Sequence, residues 1–98
     1  MILEAAMLSI KTGFSRDFEA AFREASPIIA SMEGYLGHEL QRCLELPDRY
    51  LLLVKWRRLE DHSVGFRTSE AYLEWKRLLH HFYEPFPVVE HFESVPLK

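Results

Sequence analysis

The chain has 98 residues, of which 48% are hydrophobic and 28% charged, and its net charge is −3 when the histidines are neutral. This composition predicts a single folded domain over residues 1–98 and argues against disorder and low complexity. Because the basic residues are spread along the chain rather than gathered in a stripe, no nucleic-acid partner is expected. A domain of this size buries only roughly 60–65% of its unfolded surface, so we expect a partner to contribute to its stability.

Three features predict a soluble protein of the cytoplasm. The first residues lack the basic region and the apolar stretch of a signal peptide, because Glu4 interrupts them. No apolar run approaches the roughly 20 residues that cross a bilayer, so no membrane partner is expected. The single cysteine, Cys43, excludes an intrachain disulfide and suits a reducing compartment, where we interpret it as a small strand hydrophobe.

The first third of the chain predicts a strand followed by a helix. Residues 2–10 are mostly apolar and precede a turn-prone segment, as expected of a strand. A helical repeat of apolar residues then runs from a predicted N-cap at Ser15 to a stop at Gly34. The repeat consists of Phe18, Ala21, Phe22, Ala25, Ile29 and Met32. Pro27 removes a backbone donor from this helix, which predicts a kink or a local break near Ser26.

The remaining residues predict a hairpin, two helices and a last strand. Residues 35–43 and 49–57 are strands joined by a proline-containing turn. A short helix is expected within residues 59–68, and Ser69 is the predicted N-cap of a second long helix. Its apolar positions are Tyr72, Trp75, Leu79 and Phe82. A proline-rich segment ends that helix, and residues 88–95 form the last strand.

The element order is β-α-β-β-α-β, which predicts a ferredoxin-like α+β fold: an antiparallel four-stranded sheet with both helices on one face. The strand over residues 49–57 carries large apolar groups on both faces. Tyr50, Leu52, Val54 and Trp56 point to one face, and Leu51 and Leu53 to the other. Two helices cover only one face, so we expect a second copy of the chain to cover the other and form a homodimer.

Three segments of the chain together resemble the antibiotic biosynthesis monooxygenase family. They are Gly34-Tyr35-Leu36-Gly37, Tyr50-Leu51-Leu52-Leu53-Val54-Lys55-Trp56 and Leu59-Glu60-Asp61-His62. The resemblance implies a dimeric α/β barrel in which two sheets pack face to face, with a pocket in each protomer between the sheet and the helices. Members of the family oxygenate aromatic polyketides without a cofactor, oxidise quinols, isomerise a sugar phosphate or degrade heme.

The resemblance also assigns site residues. Trp56 stands where the family has a strand-ending Trp, and His62 matches a His that many members place in the pocket. The polyketide oxygenases instead have a Tyr at the position of His62 and an Asn at that of Leu52, so their set of polar anchors is not reproduced. The heme-degrading branch needs an Asn, a Trp and a His at three positions where this chain has Ala6, Phe66 and Lys76, so heme degradation of that type is not expected.

The five histidines are the side chains best suited to proton-transfer chemistry, because imidazole titrates near neutral pH. His62 is the catalytic candidate, as a general base that removes a phenolic or activated C–H proton; the alternative is a structural histidine. Trp56 and Phe66 are expected to form apolar walls for a flat ligand. His38 is expected to meet the pocket or the dimer interface. His91 is interpreted as partly solvated, and the carboxylates Glu24, Glu60 and Asp61 as solvated faces.

Adjacent residues on a helix point about 100° apart, so at most one of His80 and His81 lines the pocket and the two do not share a metal. His80 is taken as a substrate-binding candidate, and no metal or cofactor is expected. The leading hypothesis is a cofactor-independent, monooxygenase-like enzyme for a small aromatic or quinone-type molecule. The alternatives are a non-catalytic dimer that binds a small ligand, and a heme-binding protein that uses His80 or His81.

Overall fold

The computed structural model describes residues 1–98 and contains four strands and two α-helices in the predicted order. The elements are β1 (Ile2–Ser9), α1 (Ser15–Ala30), β2 (Tyr35–Arg42), β3 (Arg49–Trp56), a π-helix (Asp61–Phe66), α2 (Glu70–Leu79), a 3₁₀ turn (His80–Phe82) and β4 (Val89–Phe92). All strand pairs are antiparallel and the sheet order is β2-β3-β1-β4. The predicted α+β ferredoxin-like arrangement is confirmed.

The register of the sheet places Glu4 at its centre. Glu4 of β1 lies opposite Val54 of β3 on one side and His91 of β4 on the other. Because side chains alternate along a strand, Glu4 points to the same face as Ala6 and Leu8. This is the face covered by the helices, and residues from both helices join it in one core. No helix in the structure is both long and apolar enough to cross a membrane.

Helix α1 differs from its predicted bounds at both ends. Its cap residue is Phe14, which provides no side-chain cap, while the predicted cap Ser15 is the first helical residue and bonds the side chain of Asp48. The helix ends at Ala30, before the predicted stop at Gly34. It runs through Pro27 without a break, which leaves the kink as the remaining part of the expectation of a kink or a local break near Ser26.

The second half of the chain follows the prediction with shorter elements. The Ser69 hydroxyl caps α2 by accepting a hydrogen bond from the backbone N–H of Tyr72 at 3.2 Å, as predicted. The α-helix ends at Leu79 and tightens into the 3₁₀ turn, since the chain is about to leave the helix. Strand β4 is limited to the four residues that pair with β1, rather than residues 88–95.

An irregularity in β2 changes which face its side chains occupy. The register shifts between Tyr35 and Gly37, so both Tyr35 and His38 lie opposite helix-facing residues of β3. The extra residue, Leu36, is 55% exposed and lines the open face of the sheet with Leu53. The expectation that Leu36 shares a face with His38 is therefore wrong, because one inserted residue reverses the alternation.

The expectation that Asp61 is a solvated carboxylate is also wrong. Asp61 is 5% exposed, and its carboxylate accepts hydrogen bonds from the backbone N–H and the guanidinium of Arg58, both at 3.1 Å. The hydrogen bond from Arg58 lowers the pKa of Asp61. Gly34 lies against this carboxylate at φ +82°, and a Cβ there would overlap the Asp61 side chain. The turn before β2 thus holds the start of the π-helix in place.

Replacing Gly34 with alanine should destabilise the fold more than the same change at Gly13. Both glycines have positive φ, but a Cβ at Gly13 meets open space. We expect Gly13→Ala to cost about 1–2 kcal/mol from backbone strain alone, and Gly34→Ala to cost clearly more, because Asp61 must also move. Urea unfolding of both variants at one protein concentration measures the difference. Equal losses would show that the Gly34 contact with Asp61 contributes nothing.

Candidate functional site

A carboxyl group is buried at the middle of the helix-covered face. Glu4 is 5% exposed, and its Oε1 accepts a hydrogen bond from the indole Nε1–H of Trp56 at 2.9 Å. The same oxygen lies 3.4 Å from Nε2 of His62. Burial raises the pKa of Glu4 above its usual value, with Trp56 opposing the change. A carboxyl held in this way favours its protonated form more than an exposed glutamate does.

Sequence reasoning missed Glu4 as a site residue and used it only as a charge that interrupts the N-terminal apolar segment. The alternation of β1 contained a usable signal, because Glu4 shares its inward face with Ala6 and Leu8. A carboxylate on the core face of a strand requires partners. Those partners, Trp56 and His62, are separated from it by more than 50 positions, so the sequence does not connect them.

The π-helix that follows β3 carries His62 back over the sheet. His62 is 3% exposed, and its ring stacks on Trp56 with 5.6 Å between centroids and 24° between planes. Phe66, one turn later, lies 6.0 Å from Trp56 and is also buried. The structure thus brings together three residues selected from the sequence. The six-residue π-helix is a form often associated with functional sites.

The electrostatic environment keeps the His62 imidazole neutral. Burial lowers its pKa from 6.5 to about 4, with smaller contributions from Arg67 and His91. Its Nδ1 lies 2.7 Å from Nε2 of His91, which is exposed on the edge strand β4. His62 therefore has Glu4 on one ring nitrogen and His91 on the other. The interpretation of His91 as partly solvated omitted this hydrogen bond.

Glu4 and His62 line a small cavity between the sheet and α2. Its volume is about 40 Å³. The other polar groups around it are Arg67, Tyr72, His80 and Tyr83, and its outer wall includes Phe86. The cavity as it stands has room for water or a diatomic gas but not for an aromatic ring, since drug-sized ligands occupy roughly 300 Å³ or more.

The two adjacent histidines diverge as predicted. His80 lines the cavity, contacts Tyr72, Tyr83 and Phe86 through its ring, and has a pKa lowered to about 4, chiefly by burial. His81 is exposed and packs on Phe82. No three His, Cys, Asp or Glu side chains are grouped in a way that could hold a metal ion.

His38 lies apart from this cavity. Its Nδ1 is 2.5 Å from the hydroxyl of Tyr35, and its Nε2 is 3.0 Å from the hydroxyl of Ser26, which also donates to the carbonyl of Phe22. The contact between Ser26 and His38 links helix α1 to strand β2. His38 borders an open groove of about 420 Å³ whose lining includes Arg23 and Arg42. The structure therefore does not bring His38 together with His62.

Comparison with known proteins identifies the relatives of this chain. Residues 1–78 match the family model described as antibiotic biosynthesis monooxygenase. The uncharacterised protein YczJ of Bacillus subtilis is 59% identical over 95 residues, covering 97% of this chain and all of the relative. A crystal structure from Bordetella bronchiseptica, assigned to the antibiotic biosynthesis monooxygenases, is 35% identical with a TM-score of 0.92 and 97% coverage of both chains.

A more distant structure shares only the fold. SnoaB, a cofactor-independent oxygenase from Streptomyces nogalater, superimposes with a TM-score of 0.81 at 16% identity and covers 97% of this chain and 93% of its own.

The lowered pKa of His62 predicts a loss of stability in mild acid. The unfolded chain takes up a proton near pH 6.5, whereas folded His62 does so only at about 4. Neutral His62 therefore contributes fully to the free energy of unfolding above pH 6.5. This contribution, roughly 3 kcal/mol, is lost as the pH falls towards 4. His62→Gln should remove this dependence. Urea unfolding measured between those pH values should show that the free energy of unfolding changes less with pH in His62→Gln than in the wild type. The control His81→Gln should follow the wild-type pH dependence. The same pH dependence in His62→Gln and the wild type would contradict the prediction.

Proposed function

The chain belongs to the antibiotic biosynthesis monooxygenase family, and we propose that it oxygenates a small aromatic or quinone-type molecule without a cofactor, with His62 as the base. The observation that supports this most is the buried Glu4–His62 pair on the wall of a mainly apolar cavity. At neutral pH the imidazole is neutral and has a lone pair for the proton, but its lowered pKa makes it a weak base until an anionic substrate raises its proton affinity. Phe66 on the cavity wall is proposed to position the ring of the substrate, and Trp56, which stacks on His62, is proposed to orient the base.

His62 Nε2 is the proposed acceptor of the substrate proton. Its 3.4 Å separation from Glu4 is longer than an ordinary hydrogen bond, so its lone pair is only weakly engaged. When the proton arrives, the substrate becomes an anion and the ring a cation, and the two attract each other strongly in a dry cavity. This attraction raises the proton affinity of His62 above that of the empty site. Arg67 at the cavity wall stabilises the same anion.

The overall reaction balances with dioxygen as the oxidant. The substrate carbanion passes one electron to dioxygen, and the two radicals combine into a peroxide anion. The peroxide takes up one proton, which His62 delivers. The O–O bond then breaks as the same carbon loses its second hydrogen, which releases water and leaves a carbonyl. One oxygen atom enters the product and the other leaves as water, so no external reductant is required.

Entry of an aromatic ring requires the cavity to widen at Phe86. This residue lies on the irregular segment between the 3₁₀ turn and β4, is 60% exposed, and contacts His80 at 4.9 Å between ring centroids. Apart from Tyr83 and Pro87, which lie on the same segment, the other apolar walls belong to strands and helices. Displacement of the Phe86 side chain into solvent is therefore the least costly way to admit a ring.

The same proposal includes a homodimer through the open face of the sheet. The strands leave a row of apolar side chains on that face: Leu3, Ala5, Met7, Leu36, Leu51, Leu53 and Phe92. Met7, Leu36 and Phe92 are between 45% and 55% exposed in the single chain. A patch of this kind is typical of a protein interface, and a second sheet is the complementary surface that the chain itself can supply.

His62→Gln should abolish turnover while leaving binding intact. Oxygen consumption with 1,8-dihydroxyanthrone or a naphthacenone, measured above the rate of autoxidation, should fall by about 100-fold or more. Binding of the corresponding quinone product, followed by Trp fluorescence, should change little because the apolar walls remain. His81→Gln is the matched control and should keep wild-type turnover, whereas Phe86→Ala should raise kcat/KM for the tricyclic probe.

Binding of either probe without oxygen consumption by the wild type would instead indicate a non-catalytic ligand-binding dimer. A Soret band on addition of hemin, lost in a His80→Ala variant, would favour the heme-binding alternative.

Leu53→Lys should convert the dimer into a monomer. Leu53 pairs with Ala5 at the centre of the open face, so a buried ammonium there would lack a partner. Sedimentation equilibrium at micromolar concentration should give the mass of one chain, 11.6 kDa, for the variant and twice that mass for the wild type. Leu73→Lys is the control, because Leu73 is exposed on the solvent side of α2. A wild-type monomer would overturn the proposed assembly.

A further inference from the structure

We propose that His91 is the outer member of a proton relay that connects the cavity to solvent through His62. Three titratable side chains meet at the edge of the sheet: Glu4 on β1 and its cross-strand neighbour His91 on β4, with His62 of the π-helix in contact with both. Only His91 is exposed to water. The proposal deepens the function proposed above, since it assigns the route by which the proton taken from the substrate leaves.

The relay is built from two contacts of different length. His62 Nδ1 and His91 Nε2 are 2.7 Å apart, which is short enough for direct proton transfer. On its other side, His62 Nε2 faces Glu4 and the cavity. The two ring nitrogens of His62 thus face different groups, the buried carboxyl of Glu4 and the exposed ring of His91. An imidazole is the one side chain that can accept a proton on one atom and release another from a second atom.

The order of the hydrogen bonds favours one direction. Burial raises the pKa of Glu4 and favours its protonated form. In the relay, His62 carries its proton on Nδ1 and donates it to His91 Nε2. His91 in turn carries its proton on Nδ1, where it can pass to water. His62 Nε2 is then the acceptor on the cavity side, and the two rings are aligned as donors towards solvent.

The transfer conserves protons at each step. When His62 Nε2 accepts a proton from the cavity, Nδ1 passes its proton to His91 Nε2, and His91 releases its Nδ1 proton to water. His62 ends neutral, with its proton on the other nitrogen. The reverse sequence delivers a proton to the oxygenated product anion and restores the starting tautomer. His62 remains neutral in either direction, which avoids the cost of a buried imidazolium, and the negative charge of the substrate anion stays in the cavity until the proton returns.

The charged groups around the relay are consistent with this direction. Burial lowers the pKa of both His62 and His91, and Arg67, the cation that follows the π-helix, lowers both further. Glu4 is the carboxyl that faces them from β1. The cation opposes storage of a proton on either ring, so a proton that reaches His91 is released rather than retained.

The test is the exchange of the His62 imidazole proton with water, measured by NMR on protein labelled with ¹⁵N-histidine. His91→Gln is the informative variant, because glutamine retains a hydrogen-bonding group near His62 but cannot take up and release a proton. We expect exchange to slow by about tenfold or more. In His91→Ala, added imidazole should restore the wild-type rate. His81→Gln is the matched control and should leave the rate unchanged.

The outcomes separate the relay from a structural role and from the proposed oxygenase. Unchanged exchange in His91→Gln, or failure of imidazole to restore it in His91→Ala, would overturn the relay. Protection of the Val54 and Trp56 backbone amides from hydrogen exchange reports whether each variant is folded. A general loss of this protection in both variants would also count against the relay and would indicate that His91 has a structural role. The measurement needs no substrate, so a wild type that consumes no oxygen would refute the oxygenase and leave the relay to be judged by exchange alone.

Discussion

The architecture of the site depends on one constraint, the burial of the Glu4 carboxyl beneath the helices. A carboxyl in this position is costly unless it has hydrogen-bond partners, and the chain supplies the Trp56 indole at 2.9 Å and the His62 ring at 3.4 Å. Trp56 is the last residue of β3, so the partner of Glu4 is also the residue at which the sheet ends. The backbone must then turn back immediately if His62 is to reach the same place.

That return is made by the π-helix, and its position is fixed from both sides. On the sheet side, His62 stacks on Trp56 and contacts the edge strand through His91. On the outer side, the buried Asp61 carboxylate is held by Arg58 and lies against Gly34. A site whose members are locked by neighbours in this way pays little reorganisation when a ligand arrives, which is the condition for electrostatic stabilisation of a developing charge.

The sequence predicted the sheet, the helices and the grouping of Trp56, His62 and Phe66, because each depends on local periodicity or on short motifs. It failed where a side chain's surroundings are set by distant residues. Glu4 was not recognised because its partners lie on other elements, and Asp61 was taken as solvated because the turn that covers it precedes it by nearly thirty positions. The single inserted residue in β2, at Leu36, left no signal in the apolar pattern, yet it reverses the faces of Tyr35 and Leu36 relative to the rest of the strand.

A mainly apolar cavity and proton-transfer chemistry make opposing demands on this small domain. Excluding water strengthens the attraction between an anionic intermediate and the protonated base, but it also removes the usual acceptor for the proton. On the side of β4, His62 lines the cavity and also contacts the exposed His91 directly. In the proposed relay, this direct contact lets the proton reach the surface without water inside the cavity.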